Sequence, residues 1–158
     1  MDKINLLSSN KDRAVLMSLI VVLFAFITII IPFIFIKYIP QSIIGSYLGI
    51  NANLIFIAIP ILLYFIYTGV FIHYIKIDPY IINISSYRSI TSIFYKKDYI
   101  DISHLMLMEY AFFNRPFTFN RTLMIKIKTD SSKIITQRFT LSLLGNKEQK
   151  RISKVLDQ

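Results

Sequence analysis

The chain has no cysteine and no tryptophan, four glycines, two histidines, and almost no charge in its first half. Without cysteine there are no disulfides, no thiolate metal sites and no cysteine nucleophile. Four glycines leave little room for a phosphate-cradling loop, and neither an HExxH pair nor a GxSxG elbow occurs. The carboxylates Asp98, Asp101, Glu109 and Asp130 lack metal-ligand spacing, and Asp98 and Asp130 fall in turn signals where aspartate is expected anyway. Of the histidines, His73 is expected at the inner end of an apolar run. His104 follows Ser103 on an expected strand, where adjacent side chains point to opposite faces and cannot form a nucleophile pair. These absences argue against an enzyme and against a bound cofactor.

What is present is apolar side chain. Hydrophobic residues make up 54% of the 158 positions and charged residues 17%, against about 25% charged in ordinary soluble domains. The excess is local. From Met1 to Tyr74 the only charged side chains are Asp2, Lys3, Lys11, Asp12, Arg13 and Lys37, whereas the remainder carries 14 Lys/Arg against 7 Asp/Glu. Ala14–Ile36 is uncharged over 23 residues, and as a helix it would reach about 34 Å, enough for a hydrocarbon core of about 30 Å. Leu54–Tyr74 is a second such run, and both are apolar on every side, so lipid is their natural solvent. The first run is too long for a signal-peptide core and lacks a small-x-small cleavage site.

The expected organisation is a polar lead (1–13), a first span (14–36), a connector (37–53), a second span (54–75) and a soluble domain (76–158) closed by a helix over about 146–156. Lys3, Lys11 and Arg13 precede the first span, Lys76 and Arg88 follow the second, and the connector has only Lys37. The positive-inside rule then puts both termini in the cytoplasm of a multi-pass protein of the cell membrane, with the connector outside. Tyr74 and Tyr80 are expected at the inner interface.

Beyond Asp78-Pro79 the pattern alternates. Strands are expected at Tyr80–Ser86, Ile90–Tyr95, Tyr99–Leu107, Thr122–Thr129 and Lys133–Phe139, separated by turn-forming residues. Asn146 is the expected helix cap, with Gln149 three residues on. The fold class read from this is a membrane α-helical hairpin plus a C-terminal α+β domain with an antiparallel sheet.

The run Asp98-Tyr99-Ile100-Asp101-Ile102-Ser103-His104-Leu105, then Thr122–Thr129 and Lys133–Thr136, then a short amphipathic helix, resembles bacterial pleckstrin-homology-like domains. Small proteins with two transmembrane helices followed by such a domain, among them the YcxB-like group, are similar in layout over nearly the whole chain. The resemblance implies a bent sheet or partial barrel closed by the C-terminal helix, and membrane-associated interaction in place of catalysis. With about 80 residues after the second span, the C-terminal part is short for a complete seven-stranded barrel.

Two groups of residues are candidates for contact. The stretch Tyr110–Arg121 packs Phe112, Phe113, Phe117 and Phe119 with Arg115 and Arg121 around a turn, a composition suited to dipping rings among headgroups while arginine meets phosphate, or to a protein interface. The alternative is that these phenylalanines end two strands and face the core. The basic residues Lys96, Lys97, Lys126, Lys128, Lys133 and Arg138, with Arg115 and Arg121, can line one side of the sheet and meet anionic lipid, or serve only as a solvated face. The expected partners are the bilayer and an unidentified protein. Nucleic acid is not expected, and a homo-oligomer is left open.

The function these features suggest is that of a non-enzymatic anchored scaffold, subunit or regulator of a membrane complex. An immunity-type protein that protects a membrane from a toxin is an alternative. A channel or transporter subunit ranks below both, since the spans hold only His73, Thr28, Thr68 and Ser18 as polar groups where a conducting path usually has ionisable ones.

Overall fold

A computed structural model of the chain describes residues 5–90, 97–129 and 132–157, apart from the side chains of 54 and 55. The chain divides into two units, one made of Met1–Val15 with Val70–Gln158 and the other of Leu16–Gly69. The second is thus an insertion in the first. Among the described residues the fold is α+β, with two antiparallel sheets that do not close into a barrel.

The four-stranded sheet runs β1 (Leu6–Ser9), β2 (Phe71–Ile77), β3 (Ile81–Arg88), β4 (Asp98–Ser103) in spatial order. The three-stranded sheet runs β5 (Leu107–Asn114), β6 (Asn120–Lys128), β7 (Ile134–Ser142). The helix α5 (Asn146–Leu156) follows. Alternation sets the faces: Ile75, Ile77, Ile82, Ile84, Ile100 and Ile102 of one sheet and Leu123, Ile125, Ile127, Phe139 and Leu141 of the other form one buried cluster, joined by Ile152 and Leu156 of α5. The expected cap of α5 is displaced by one residue. Gly145 occupies the N-cap, and Glu148 reaches back to accept its N–H at 3.0 Å.

Three expectations change. The lead 1–13 contains β1, whose Leu6–Ser9 pair antiparallel with Ile77–Tyr74. The expected second span, 54–75, does not continue as a helix: α4 (Asn53–Thr68) ends at Gly69, whose φ of 64° and ψ of 153° lie where a side chain is disfavoured, and Phe71–Ile75 lie on β2. His73 and Tyr74 are therefore sheet residues, and Tyr80 sits in the β2–β3 turn at the far end of the sheet from residues 10 and 71. His104 opens a 3₁₀ turn instead of lying on a strand, with its Nε2 2.9 Å from the Asp78 carbonyl. The expected strand Ile90–Tyr95 lies, from residue 91 onward, outside the described residues.

α1 (Lys11–Ala25), whose first residues belong to the sheet unit, a π-helical turn (Phe26–Ile30) and α2 (Ile31–Tyr38) form one helix, Lys11–Tyr38, of 28 residues. It is long and apolar enough to span a membrane. The π turn precedes Pro32, which has no N–H to give and crowds the carbonyl four residues back; widening the turn, with Ile31 N–H bonding Phe26 O, accommodates it. α3 (Ile43–Ile50) is capped by the Ser42 hydroxyl, which accepts from Gly45 N–H at 2.9 Å. α4 has 16 residues, about 24 Å of helix, so among the described residues a single helix reaches spanning length.

The insertion leaves the sheet through a buried polar knot. The Asn10 amide donates to the carbonyls of Phe71 at 2.9 Å and Ser142 at 2.8 Å, and its oxygen accepts the His73 N–H at 2.8 Å. The Ser142 hydroxyl accepts from Phe71 N–H at 2.8 Å and donates to the Asn120 side-chain oxygen. Truncating Asn10 removes donors and acceptor together and leaves a buried N–H with no partner. Asn10→Ala is expected to cost about 2 kcal/mol or more, seen as a lower thermal unfolding midpoint of the intact chain in lipid nanodiscs.

Candidate functional site

The hairpin β5–β6 separates the residues proposed for contact by strand parity. Register pairs Phe112 with Leu123 and Phe113 with Thr122. Phe112 therefore faces inward and packs on the core, edge-on to Tyr110 with ring centroids 6.2 Å apart. Phe113 faces outward and is half exposed. Phe119 is half-buried, and its carbonyl accepts Leu143 N–H at 3.2 Å. Arg121 shares the inward parity of Leu123 and reaches α5, where its guanidinium bonds the Asn146 and Gln149 side chains. It ties the hairpin to the first turns of that helix.

The tip is a four-residue turn. Thr118 N–H donates to Arg115 O at 3.3 Å, with Pro116 second and Phe117 third. Phe117 has φ 58° and is 93% exposed. Arg115 turns back over the outer face, where its Nε donates to Thr122 Oγ1 at 3.2 Å.

Cross-strand register puts Thr122, Met124, Lys126 and Lys128 on the same outer face as Thr140, Arg138, Thr136 and Ile134. Phe113, Arg115, Thr122, Met124 and Arg138 line a shallow cleft of about 320 Å³ there. Lys126 is neutralised by Glu109 at 2.6 Å, and Lys128 is exposed. Lys133 precedes β7 at the opposite end of the sheet. Lys97 belongs to the other sheet, with its ammonium 5.8 Å from the ring centroids of both Tyr87 and Tyr99. Lys96 lies outside the described residues. The basic candidates thus form no single face: Arg115 and Arg138 converge on one cleft, Lys126 and Lys128 continue that surface, and the others stand apart.

A second cleft, of about 540 Å³, runs between β5 and α5. On its wall the Tyr110 hydroxyl donates to Asp157 and lies 3.2 Å from Ser153 O. Burial, with the bond to Asp157 next, raises the phenol's pKa above its ordinary value. Among the described residues no group of three His, Cys, Asp or Glu is placed to hold a metal ion.

His73 is buried on the inner face of β2, and its Nδ1 has no hydrogen-bond partner. Burial pushes the imidazole down to about 4; Glu148 opposes the shift weakly and Arg13 adds to it. Sequence alone placed this histidine at a lipid interface because the apolar run that contains Gly69 continues uncharged to Tyr74.

No family model matches the chain, and no curated protein or solved structure matches it either. The site therefore rests on its own geometry.

The buried histidine makes stability depend on pH with a definite sign. Between pH 6.5 and about 4 the unfolded chain takes up a proton that the folded one refuses, so stability falls as pH drops through that window and levels off below it. The total is about 3 kcal/mol for a shift of this size. Unfolding midpoints of the nanodisc-embedded chain from pH 7.5 to 4 are expected to show this slope, and His73→Gln to flatten it even if its midpoint is lower throughout.

Proposed function

We propose that this chain is a non-enzymatic, membrane-tethered interaction protein, a subunit or regulator of a membrane complex, whose soluble part is pleckstrin-homology-like and cytoplasmic. The observation that carries the reading is the pairing of β1 with β2 across the apolar insertion, Ser9 opposite Tyr74. Both ends of the insertion belong to one sheet. If the insertion enters a bilayer, it must return to the side it left, so the crossings are even in number. The helix Lys11–Tyr38 makes the first, and the return falls to α4. Its length of about 24 Å is about 6 Å short of an average core, a mismatch that costs fractions of a kcal/mol per Å and is met by local thinning.

Among the described residues, seven strands in a four-plus-three arrangement followed by a helix support the pleckstrin-homology-like reading. The strand that the C-terminal part was too short to supply comes from before the first span. Lys11, Arg13, Arg88, Lys97 and Arg115 lie where the insertion leaves the fold, the distribution that favours a cytoplasmic side.

The lack of native cysteine makes single introduced thiols clean reporters. Gln41→Cys, in the connector, is expected to react with a membrane-impermeant maleimide on intact cells. Leu7→Cys on β1 and Lys133→Cys before β7 are expected to react only after permeabilisation. Labelling of all three from the same face would refute the double crossing.

A further inference from the structure

The turn at Phe117 is built against two ordinary preferences. Its third position has positive φ, where glycine or asparagine is favoured and a bulky side chain is strained. The ring that stands there is 93% exposed, so the fold buries almost none of it in return. Strain of this kind clusters at binding and functional sites, and Phe117, unlike Leu143 at the same φ of 58°, holds its side chain out in solvent.

The position of the turn says what that is. β5 and β6 end at Asn114 and Asn120, and Asn120 pairs with Ser142. Ser142 in turn bonds Asn10 and Phe71, the residues where the apolar insertion departs and returns. The Phe117 turn therefore projects from the same end of the fold as both attachment points. The cations Lys11, Arg13, Arg88, Lys97 and Arg115 gather at that end against Asp12, Asp98 and Glu148, and Glu148 is already engaged by Arg13 at 3.2 Å. Behind the turn lies the Phe113, Arg115, Thr122, Met124, Arg138 cleft, with Thr122 two residues along β6 from Asn120, about 7 Å at strand rise. Among the described residues neither Arg115 nor Arg138 has a carboxylate partner.

We propose that the β5–β6 hairpin is a second membrane contact: Phe117 enters the headgroup–acyl boundary, and the Arg115–Arg138 cleft receives the phosphate of an anionic lipid headgroup. This rests on the membrane-tethered reading above. An aromatic ring at that depth is at its preferred level in a bilayer, and two guanidinium groups converging on one cleft suit a phosphate diester.

The absence of native tryptophan allows a direct test on the full chain in nanodiscs. Phe117→Trp places the sole indole at the tip. Leu105→Trp, at a 96% exposed position on the opposite end of the fold, is the wet control, and Phe33→Trp in α2 is the lipid control. With lipids brominated near the carbonyl end of the chain and phosphatidylglycerol mixed into phosphatidylcholine, the reporter at 117 is expected to emit to the blue of the one at 105. It is also expected to be quenched at least about twofold, where interfacial insertion brings the ring beside the bromines. The quenching should weaken in pure phosphatidylcholine and lose its dependence on phosphatidylglycerol in Arg115→Gln/Arg138→Gln. Phe117→Gly, which relieves the turn, is expected to keep or raise the unfolding midpoint, showing that the ring does not serve the fold. A reporter at 117 as wet as that at 105, while the one at 33 is quenched, would overturn the hairpin contact and leave the tether standing. An unquenched reporter at 33 would overturn both. If inorganic phosphate in neutral discs reproduced the phosphatidylglycerol effect, the cleft would be a site for soluble anions and the lipid assignment would fall.

Discussion

The polar knot around Asn10 is the constraint on which the fold depends. An apolar segment of more than fifty residues interrupts the first β-hairpin, and a hairpin opened so widely has no turn to fix its register. What fixes it is side-chain chemistry at the mouth. Asn10 bonds the backbone at Phe71, His73 and Ser142, and Ser142 passes the connection to Asn120. One asparagine thereby aligns β1 with β2 and holds the first sheet against the second at the end where no strand crosses over. The cost of burying these groups is met because their hydrogen bonds are made, and a network of this kind specifies one register where an apolar contact would tolerate several.

That arrangement divides the labour between the two units. The apolar cluster of isoleucines, leucines and Phe139 draws on both sheets and α5, so the sheet unit has a core of its own. The inserted helices expose large apolar side chains over most of their surface, from Leu16 and Leu19 to Tyr64 and Tyr67. In water that surface would be a liability; in lipid it is the ordinary condition of a spanning segment. Between Ala14 and Ile36 the polar side chains of the first helix are Ser18 and Thr28, and Thr28 turns its hydroxyl back to the Phe24 carbonyl at 2.6 Å, which satisfies it without a partner from elsewhere.

Much of this was legible in the residues, and the failures have physical reasons. β6 shows plainly because Leu123, Ile125 and Ile127 alternate with Met124, Lys126 and Lys128, and α5 shows because Ile152, Val155 and Leu156 form a stripe on a polar helix. β1 does not show: Leu-Leu-Ser-Ser is a four-residue edge strand whose partner lies more than sixty positions away, and no local pattern reports such pairing. β2 is hidden for the opposite reason. Phe71-Ile72-His73-Tyr74-Ile75 continues an apolar run without a change of composition, and a strand inside such a run cannot be told from a helix by periodicity. Gly69 was the available signal, with branched and aromatic residues after it. In the contact region, parity decided what composition could not. Arg121 sits an even number of residues from Leu123 and so turns inward to α5, while Arg115 belongs to the turn and stays outside. The composition of Tyr110–Arg121 could not say which of its rings the core would claim.

The two points where the apolar segment joins the sheet are held in different ways. On the outgoing side there is a single residue between β1 and α1, and Asn10 is held by five hydrogen bonds, among them Ala14 N–H to its carbonyl at 2.9 Å and its own N–H to the His73 carbonyl at 3.4 Å. On the return side the chain turns at Gly69, whose conformation is open to glycine alone and which ends α4 one residue before Val70 bonds Ser89 and the sheet resumes. The departure of the apolar segment from the sheet is thus fixed by side-chain hydrogen bonds and its return by a backbone conformation.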